Sequence, residues 1–180
     1  IQPPDQHRKR ITSYFDPLPF WYAPFEGTMI DTRAFPMHAI TQRPMHMYHS
    51  WGSQNAWLRQ ITTANRLFMS RERGLELGIT DDDWVWVSSS IGRVKCQVRL
   101  MEGVNKDTVW TWNAIGKRSG AWALDKDAPE AKQGFLLNHL IAELLPPRDG
   151  GYRYSNSDPI TGQAAWYDLR VKIEKAPDAE

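Results

Sequence analysis

Alternation of apolar and polar side chains over residues 94–100 constrains the fold of this chain more than any other feature. From Val94 onward every second residue is apolar, and Lys95, Gln97 and Arg99 stand between the apolar positions. Successive side chains of a β-strand point to opposite faces of a sheet, so the pattern predicts a strand with one buried face. The segment "WVWVS" at 84–88 predicts the preceding strand, and the turn around "SIGR" joins the two as a β-hairpin.

Four further segments predict short strands. They are "FPMHAIT" at 35–41, "NRLFMS" at 65–70, "DTVWTWNAIG" at 107–116 and "AWYDLRVKIEK" at 165–175. In the last of these, Leu169, Val171 and Ile173 fall on one side, which we expect to be buried. Many short strands favour a mixed β-barrel over a helical bundle or an open, doubly wound α/β sheet.

Two short helices are predicted between the strands. Trp57, Leu58 and Ile61 stand at helical spacing. The segment "SRERGLELGI" predicts a helix with Ser70 as its N-cap and Gly78 as its C-terminal stop.

A longer helix is predicted from about residue 128 to residue 145. Its apolar residues recur at i, i+3, i+4 and i+7, and two prolines follow: Leu137, Leu140, Ile141, Leu144, Pro146 and Pro147. That spacing is typical of an amphipathic helix, and proline would end it. Residues 146–163 are then expected to form a long loop.

The chain has 180 residues, which suits a single hydrophobic core. Residues 1–34 alternate prolines with aromatic residues, which predicts an extended arm packed on a neighbouring surface, and residues 35–180 then form the barrel domain. The N-terminus has neither a starting Met nor the apolar stretch of a signal peptide, which we expect to reflect a cut within a longer polypeptide, with removal of a tag or a pro-segment as the alternative.

Charge and cysteine content exclude several classes of function. Lys and Arg number 22 against 21 Asp and Glu, so the basic surface of a general nucleic-acid binder is missing. No run of 18 apolar residues is present, so we expect no direct membrane insertion. The single cysteine, Cys96, excludes an internal disulfide or a cysteine-ligated iron–sulfur cluster within these residues. Its position on the apolar face of a predicted strand favours a buried thiol over a reactive one.

Aromatic and histidine side chains are concentrated in "TQRPMHMYHSWGSQ", which follows a predicted strand. Loops that leave strand ends can present backbone N–H groups, an Arg fork and hydroxyls to one anionic ligand, and the rings would suit a heteroaromatic group. The alternative is a strand end packed under aromatics. Nine Trp in the whole chain raise the expectation of a ligand or a partner without choosing between them.

Metal and catalytic motifs are weak in this chain. His38, His46 and His49 lack a known ligand spacing and have no acid nearby in sequence, so we favour histidines that form hydrogen bonds over a metal site. The acidic run at 81–83 could bind a cation, but it is more typical of a polar turn before a strand. No nucleophile elbow, phosphate loop or G-x-G-x-x-G is present, and we predict no catalytic residue here.

Four motifs in order carry a resemblance to a known family. They are "AITQRPMHMYHSWGSQNAWL", "NRLFMSRERGLELGITDDDWVWVSSSIGRVKCQVRL", "LLNHL" and "SDPITGQAAWYDLRVKIEK". Together they resemble the C-terminal domain of molybdopterin oxidoreductases of the dimethyl-sulfoxide-reductase family. The resemblance implies a mainly β fold with short helices, the double-psi β-barrel of aspartate-decarboxylase-like proteins. It also implies a surface that closes over molybdenum-bound molybdopterin guanine dinucleotide.

The resemblance also implies which residues contact that cofactor. The contact loop spans Thr41, Gln42, Arg43, His46, Tyr48, His49 and Ser50, Trp51 lies just beyond it, and Asn138 and Tyr167 fall at later contact positions. Three positions depart from the family pattern. Gln42 and Asp82 stand where glycine is frequent, so the backbone at both turns could differ, and Tyr167 stands where a basic residue is frequent.

Cofactor, partners and substrate are implied only by the resemblance. It implies bis-molybdopterin guanine dinucleotide, an iron–sulfur cluster elsewhere in the polypeptide, the remaining catalytic domains, and two further subunits, one for iron–sulfur electron transfer and one for membrane anchoring. The loop at 41–61 most resembles the branch acting on thiosulfate, tetrathionate, polysulfide or sulfite. We expect a cytoplasmic protein, with the periplasm as the alternative. Two other hypotheses are considered. The first is a stand-alone nucleotide- or protein-binding module on the same barrel, and the second is a self-processing enzyme cleaved at Gly52–Ser53.

Overall fold

The structure is a computed structural model that describes most of the predicted barrel. The described residues are 2, 4–14, 18, 29–49, 51–52, 55–62, 64–113, 115, 134–141, 144–147, 153–155, 163–164 and 169–177. The helices are α1 (Asp5–Tyr14), α2 (Ala56–Ile61), α3 (Arg71–Glu76) and a 3-10 helix (Leu137–Leu140). The strands are β1 (Met37–Gln42), β2 (Leu67–Ser70), β3 (Trp84–Ser88), β4 (Arg93–Met101), β5 (Thr108–Trp112), β6 (Leu144–Pro147), β7 (Arg153–Ser155) and β8 (Leu169–Lys175).

Six strands close into a barrel in the order β1-β5-β2-β4-β3-β8. The pairs β1–β5 and β2–β4 are parallel, and the other neighbours in the barrel are antiparallel. Parallel strands cannot be joined by a tight hairpin, so each parallel pair encloses a long connection. The mainly β fold class and the closed barrel that the resemblance implies, of the double-psi type, are confirmed.

Alternating side chains of all six strands fill the barrel interior. Buried apolar residues include Met37, Ala39, Leu67, Met69, Val85, Val87, Cys96, Val98, Leu100, Val109, Leu169, Val171 and Ile173. The predicted buried faces of β4 and β8 are therefore confirmed, with Val94 only partly buried at the start of β4. Burial of a large aliphatic side chain stabilises a fold by roughly 1.5–3 kcal/mol. Desolvation also raises the pKa of the Cys96 thiol, which makes this cysteine an unreactive part of the core.

Helix α3 begins and ends where the sequence predicts. Ser70 occupies the N-cap position, although its side chain makes no capping hydrogen bond. Gly78 follows the helix with a φ of +66°, a left-handed conformation that glycine adopts without a steric penalty. Gly74 lies inside α3 against the barrel, where a Cβ atom would stand 2.5 Å from Leu100 Cδ2.

The acidic run at 81–83 forms a polar turn before β3. Asp81 Oδ1 accepts a hydrogen bond of 2.7 Å from the Leu100 N–H. Asp83 Oδ2 accepts from the Thr80 N–H at 2.8 Å and lies 2.8 Å from Lys175 Nζ. The hydrogen bond from Lys175 and those from Thr80 lower the pKa of Asp83. These carboxylates bind backbone and lysine groups, as the polar-turn interpretation predicts.

Asp82 keeps the backbone conformation that glycine would have at its position. Its φ is +65°, which lies in the left-handed region that aspartate tolerates better than most residues. The carboxylate lies 3.2 Å from Arg66 Nε and 3.6 Å from Arg99 Nη2. Asp82 therefore occupies a left-handed turn position and adds a local charge pairing.

The helix predicted for 128–145 is wrong over its described part. Residues 137–140 form a single 3-10 turn, and Leu144–Pro147 is a strand that pairs with β7 across a register irregularity. Leu137 and Leu140 are buried, and this i, i+3 spacing also fits three residues per turn. The pairing of β6 with β7 also places strand structure inside the predicted 146–163 loop.

In the N-terminal arm, Asp5–Tyr14 is a helix, which corrects the expectation of extended chain. The division of the chain at residue 34 stays a prediction.

Within the described ranges, no helix has both the length and the apolar character needed to cross a bilayer.

Candidate functional site

Strand polarity gathers several chain segments at one end of the barrel, which we call the loop end. The parallel strands β1 and β5 finish together there, with Gln42 opposite Trp112 in the register. Strand β2 is antiparallel to β5 and therefore begins at the same end. Residues after β1, after β5 and before β2 thus meet at the loop end, and α3 lies at the other end.

The 43–52 loop leaves β1 at the loop end and folds against α2. Met47 is buried, and a Cβ atom on Gly52 would stand 3.1 Å from both Met47 Cγ and Leu58 Cδ1. His46 Nε2 lies 3.0 Å from the Thr62 hydroxyl, just beyond α2. Asn55 caps α2 by accepting from the Trp57 and Leu58 N–H groups. The inner side of the loop is therefore fixed by packing and hydrogen bonds.

The outer side of the loop presents aromatic rings and a cation to solvent. Tyr48 is 61% exposed and Trp51 is 82% exposed, and their rings meet edge to face with centroids 6.4 Å apart. The Arg43 guanidinium carbon lies 5.6 Å from the Tyr48 ring centroid. A strand end packed under aromatics would bury these rings, whereas here they lie open to solvent beside a guanidinium group.

Asn113, the residue after β5, holds the 43–52 loop in place. Its N–H donates to the Gln42 carbonyl at 2.8 Å, and its Nδ2 lies 3.1 Å from His49 Nδ1. His49 has a φ of +48°, an uncommon conformation for a non-glycine residue. Asn113 Oδ1 is buried and has no hydrogen-bond partner within the described chain. The sequence analysis missed Asn113, and its position directly after a strand was the available signal.

Asn65 joins three segments beneath the loop end. Its side-chain amide donates to the carbonyls of Trp112, Ile115 and Phe135 at 3.0, 2.7 and 3.2 Å. Its Oδ1 accepts from the Thr111 hydroxyl at 2.8 Å. Asn65 is almost fully buried, so it replaces water for these backbone groups and ties the end of β5 to the segment before the 3-10 helix. Sequence analysis did not identify this role either.

Asn138 lies exposed on the 3-10 helix beside the loop end. Two anchors place that helix: the Phe135 carbonyl accepts from Asn65, and the Leu140 carbonyl accepts from the Ser89 hydroxyl at 2.7 Å. The structure thus brings Asn138 to the barrel end that carries Thr41 to His49. Ser50 and Tyr167 lie outside the described residues.

The histidines of the loop form hydrogen bonds with protein groups. His46 pairs with Thr62, and His49 pairs with Asn113. Across the described portion of the chain, no three His, Cys, Asp or Glu side chains are grouped so that they could hold a metal ion.

The chemistry of the loop end fits a phosphate-bearing heteroaromatic ligand. Arg43 carries an exposed positive fork of a kind that suits phosphate, and the exposed Tyr48 and Trp51 carry ring surfaces. The buried Asn113 Oδ1 is an acceptor without a donor in the described residues, and N–H groups on the edge of a purine or pterin are donors of the matching kind. Cation, ring faces and acceptor are therefore combined in one region.

Comparisons with known proteins identify the family. Residues 37–157 match the family model described as "Molydopterin dinucleotide binding domain". The chain is 58% identical over 179 residues to a sulfite dehydrogenase subunit of Allochromatium vinosum, covering 99% of this chain and 18% of that protein. It is 28% identical over 178 residues to dopamine dehydroxylase of Eggerthella lenta, covering 96% of this chain and 15% of that protein.

A solved structure shows the same fold. Acetylene hydratase from Pelobacter acetylenicus superposes with a TM-score of 0.63 at 16% sequence identity, over 96% of this chain and 23% of that one. The chain therefore spans under a quarter of each of these proteins. The matched segment begins at the first residue of β1 and takes in the 43–52 loop, Asn65, Asn113 and the 3-10 helix. The family model covers more than half of the chain, and the chain accordingly belongs to the molybdopterin dinucleotide-binding domain family, as the ordered motifs predict.

Proposed function

We propose that this chain is the cofactor-binding domain of a molybdenum oxidoreductase catalytic subunit, in which the loop end contacts molybdopterin guanine dinucleotide and fixes its orientation. The observation that carries this proposal is the exposed pair of Arg43 and Tyr48 on a loop whose inner side is anchored to the barrel. A rigid loop with an outward-facing cation binds phosphate without an ordering penalty at the time of binding.

The residues divide between anchoring and contact. Met47 and His46 face α2 and set the loop backbone, whereas Arg43 and Tyr48 face outward. The guanidinium fork suits the diphosphate of the dinucleotide, because planar donors match two phosphate oxygens at once. Asn138 supplies an exposed amide from the neighbouring 3-10 helix, which suits a polar edge of the ligand.

The bound cofactor supplies the redox chemistry, and the protein supplies binding, orientation and electrostatics. This chain's contribution is to hold the dinucleotide at a fixed position and to exclude water from the covered surface. The exposed Trp51 and Met45 extend the apolar surface of the loop, which supports contact with the remaining domains of the full-length polypeptide.

For the substrate, we propose a sulfur oxyanion, with sulfite as the first compound to test. The support is the 58% identity to part of a sulfite dehydrogenase over nearly the whole chain. The proposal also includes an iron–sulfur cluster elsewhere in the polypeptide and separate subunits for electron transfer and membrane anchoring. It assigns the enzyme to the cytoplasm. The periplasm is the alternative compartment.

The test uses the full-length catalytic subunit with two arginine variants. Arg43→Ala removes the outward-facing fork, and Arg71→Ala removes an exposed arginine at the opposite end of the barrel. We expect Arg43→Ala to lower molybdenum and releasable guanine nucleotide per protein by roughly tenfold, since charge-assisted bonds contribute about 1.5–3 kcal/mol. Arg71→Ala should retain both at the wild-type level.

Two outcomes would contradict the proposal. A wild-type enzyme without molybdenum and without guanine nucleotide would reject cofactor binding. Equal retention in both variants, with intact folding, would remove the phosphate role of Arg43. Sulfite-dependent reduction of an artificial electron acceptor by the loaded enzyme tests the substrate separately, and activity only with another oxyanion would reassign it.

A further inference from the structure

We propose that Asn113 is a binding and positioning residue for the dinucleotide: it locks the 43–52 loop through His49 and offers its buried Oδ1 to an N–H group of the ligand. The inference rests on the proposed function, because it names a further residue of the same site. It follows from two contacts of Asn113 and from one unpaired atom of its side chain, each of which has a different consequence.

The first contact joins the ends of two parallel strands. The Asn113 N–H donates to the Gln42 carbonyl at 2.8 Å, one residue before Arg43. Gln42 and Trp112 are paired in the β1–β5 register, so this bond extends the ladder by one step beyond β5. The start of the loop therefore has no freedom to move away from the barrel.

The second contact sets the proton position on His49. Asn113 Nδ2 is a hydrogen-bond donor and cannot accept, and it lies 3.1 Å from His49 Nδ1. Nδ1 must then accept, so the neutral ring carries its proton on Nε2. The bond also holds His49 at a φ of +48°, a conformation that persists only where neighbouring groups fix it.

The third observation is the unpaired acceptor. Asn113 is only 9% exposed, and its Oδ1 is buried with no hydrogen-bond partner in the described residues. Buried side-chain oxygens without a partner are rare in native proteins, because the lost hydration is not replaced. The amide is fixed by the His49 contact, so Oδ1 is an oriented acceptor with the capacity to bind an N–H donor. Amide and amino N–H groups on a guanine or pterin edge are donors of this kind.

Within the described residues, the charged or titratable groups near His49 are Tyr48, whose ring meets His49 with centroids 5.1 Å apart, Arg43 above Tyr48, and His46, which is held by Thr62 against α2. Substitution of Asn113 by aspartate introduces a carboxylate that cannot donate to Nδ1. The ring can then regain its bond only with a proton on Nδ1, supplied by a shift of the neutral tautomer or by protonation of the ring. The protonated ring pairs with the carboxylate more strongly than the neutral ring does, so we expect the loop to be held more tightly as pH falls in this variant.

The experiment compares variants of the full-length catalytic subunit loaded with its cofactor. Asn113→Ala, Asn113→Asp, and the control Asn105→Ala are exchanged into buffers from about pH 5.5 to about pH 8.5, the range in which imidazole titrates. The release of guanine nucleotide and molybdenum is followed over time, with the thermal unfolding midpoint measured in parallel. Asn105 lies in the exposed turn before β5, at the opposite end of that strand.

We expect Asn113→Ala to release cofactor roughly tenfold faster at every pH, the change that corresponds to one ordinary hydrogen bond. Above about pH 7, Asn113→Asp should release cofactor faster than the wild type does. As pH falls through the range of imidazole protonation, release from this variant should slow toward the wild-type rate. Adding His49→Gln to Asn113→Asp should abolish that pH step. A residue that acted only on folding would shift the unfolding midpoint without producing this step.

Three results would overturn the inference. Release at the wild-type rate in Asn113→Ala would reject any ligand contact. A pH step that survives the His49→Gln change would remove the coupling to His49. Faster release matched by an equal change in Asn105→Ala would make the effect general. Failure of the proposed function is distinguishable, because the wild-type enzyme would then hold no cofactor to release.

Discussion

Replacing Asn65 by alanine should destabilise the barrel more than any other single change of a polar side chain described above. The amide of Asn65 satisfies three backbone carbonyls, and its oxygen accepts from Thr111. Alanine removes all four contacts and leaves a cavity at a site that is 2% exposed. The affected carbonyls belong to the last residue of β5, to Ile115 after it and to the segment before the 3-10 helix, so the change also disconnects parts of the loop end.

The magnitude follows from the contacts. Each intramolecular hydrogen bond contributes about 1 kcal/mol net, and a buried polar group left without a partner costs about 1–3 kcal/mol. Two donor hydrogens serve three carbonyls, so the contributions are shared and do not add fully. We expect Asn65→Ala to lower the free energy of unfolding by about 3–5 kcal/mol. Asn105→Ala, the same chemical change with one exposed contact, should lower it by less than about 1 kcal/mol.

Urea unfolding of the 180-residue chain, followed by the fluorescence of its nine tryptophans, measures both values. With a slope of about 2 kcal/mol per molar urea, Asn65→Ala should move the midpoint down by roughly 1.5–2.5 M. A shift below about 0.5 M, or one equal to that of Asn105→Ala, would show that water or a rearranged backbone replaces the amide. The network would then have no energetic role.

Three further predictions concern the barrel. Gly74→Ala should lower the free energy of unfolding by about 1–3 kcal/mol, because its Cβ would stand 2.5 Å from Leu100 Cδ2. The control in thermal unfolding is Gly103→Ala, whose Cβ would meet no atom within 4 Å. Equal unfolding midpoints for the two variants would contradict the close packing at Gly74. Cys96 should resist a thiol reagent in the native chain and react only on unfolding, since burial raises the pKa of its thiol; labelling at the rate of a free thiol would refute this. Asp83→Asn should flatten the acid side of the stability profile. The folded pKa of Asp83 lies below its unfolded value, so its contribution is present above about pH 4 and is lost as pH falls through the lowered pKa. Unfolding midpoints measured across that range check this, and parallel profiles for variant and wild type would contradict it.

Sequence patterns predicted the strands well, because a period of two is a strong local signal. The β3–β4 hairpin, the buried face of β8 and the stop at Gly78 all follow from side-chain alternation or from one glycine. The 3-10 helix shows where such reasoning fails. Leucines at positions 137 and 140 fit both 3-10 and α-helical spacing, and only packing against the barrel selects between them.

The candidate site was predictable only in part. The strand pattern placed the segment after Ile40 at a strand end, and the structure shows the rings of Tyr48 and Trp51 exposed there. Contact of this loop with the cofactor, which only the resemblance implies, stays a prediction. Asn65 and Asn113 could not be found from the sequence, because their partners lie 46 to 70 positions away for Asn65 and 64 positions away for the Asn113–His49 contact. Contacts of that range depend on strand order, which local patterns do not encode.

The order of strands in the barrel also sets when the site can form during synthesis. Strand β8, at Leu169–Lys175, lies between β1 and β3 and closes the barrel, although both neighbours are made long before it. Until β8 leaves the ribosome, one side of β1 has no hydrogen-bond partner, and the loop that follows β1 lacks its full support. The nascent chain therefore cannot close this barrel before β8 is made. Under the proposed function, we expect insertion of the cofactor to follow translation of β8.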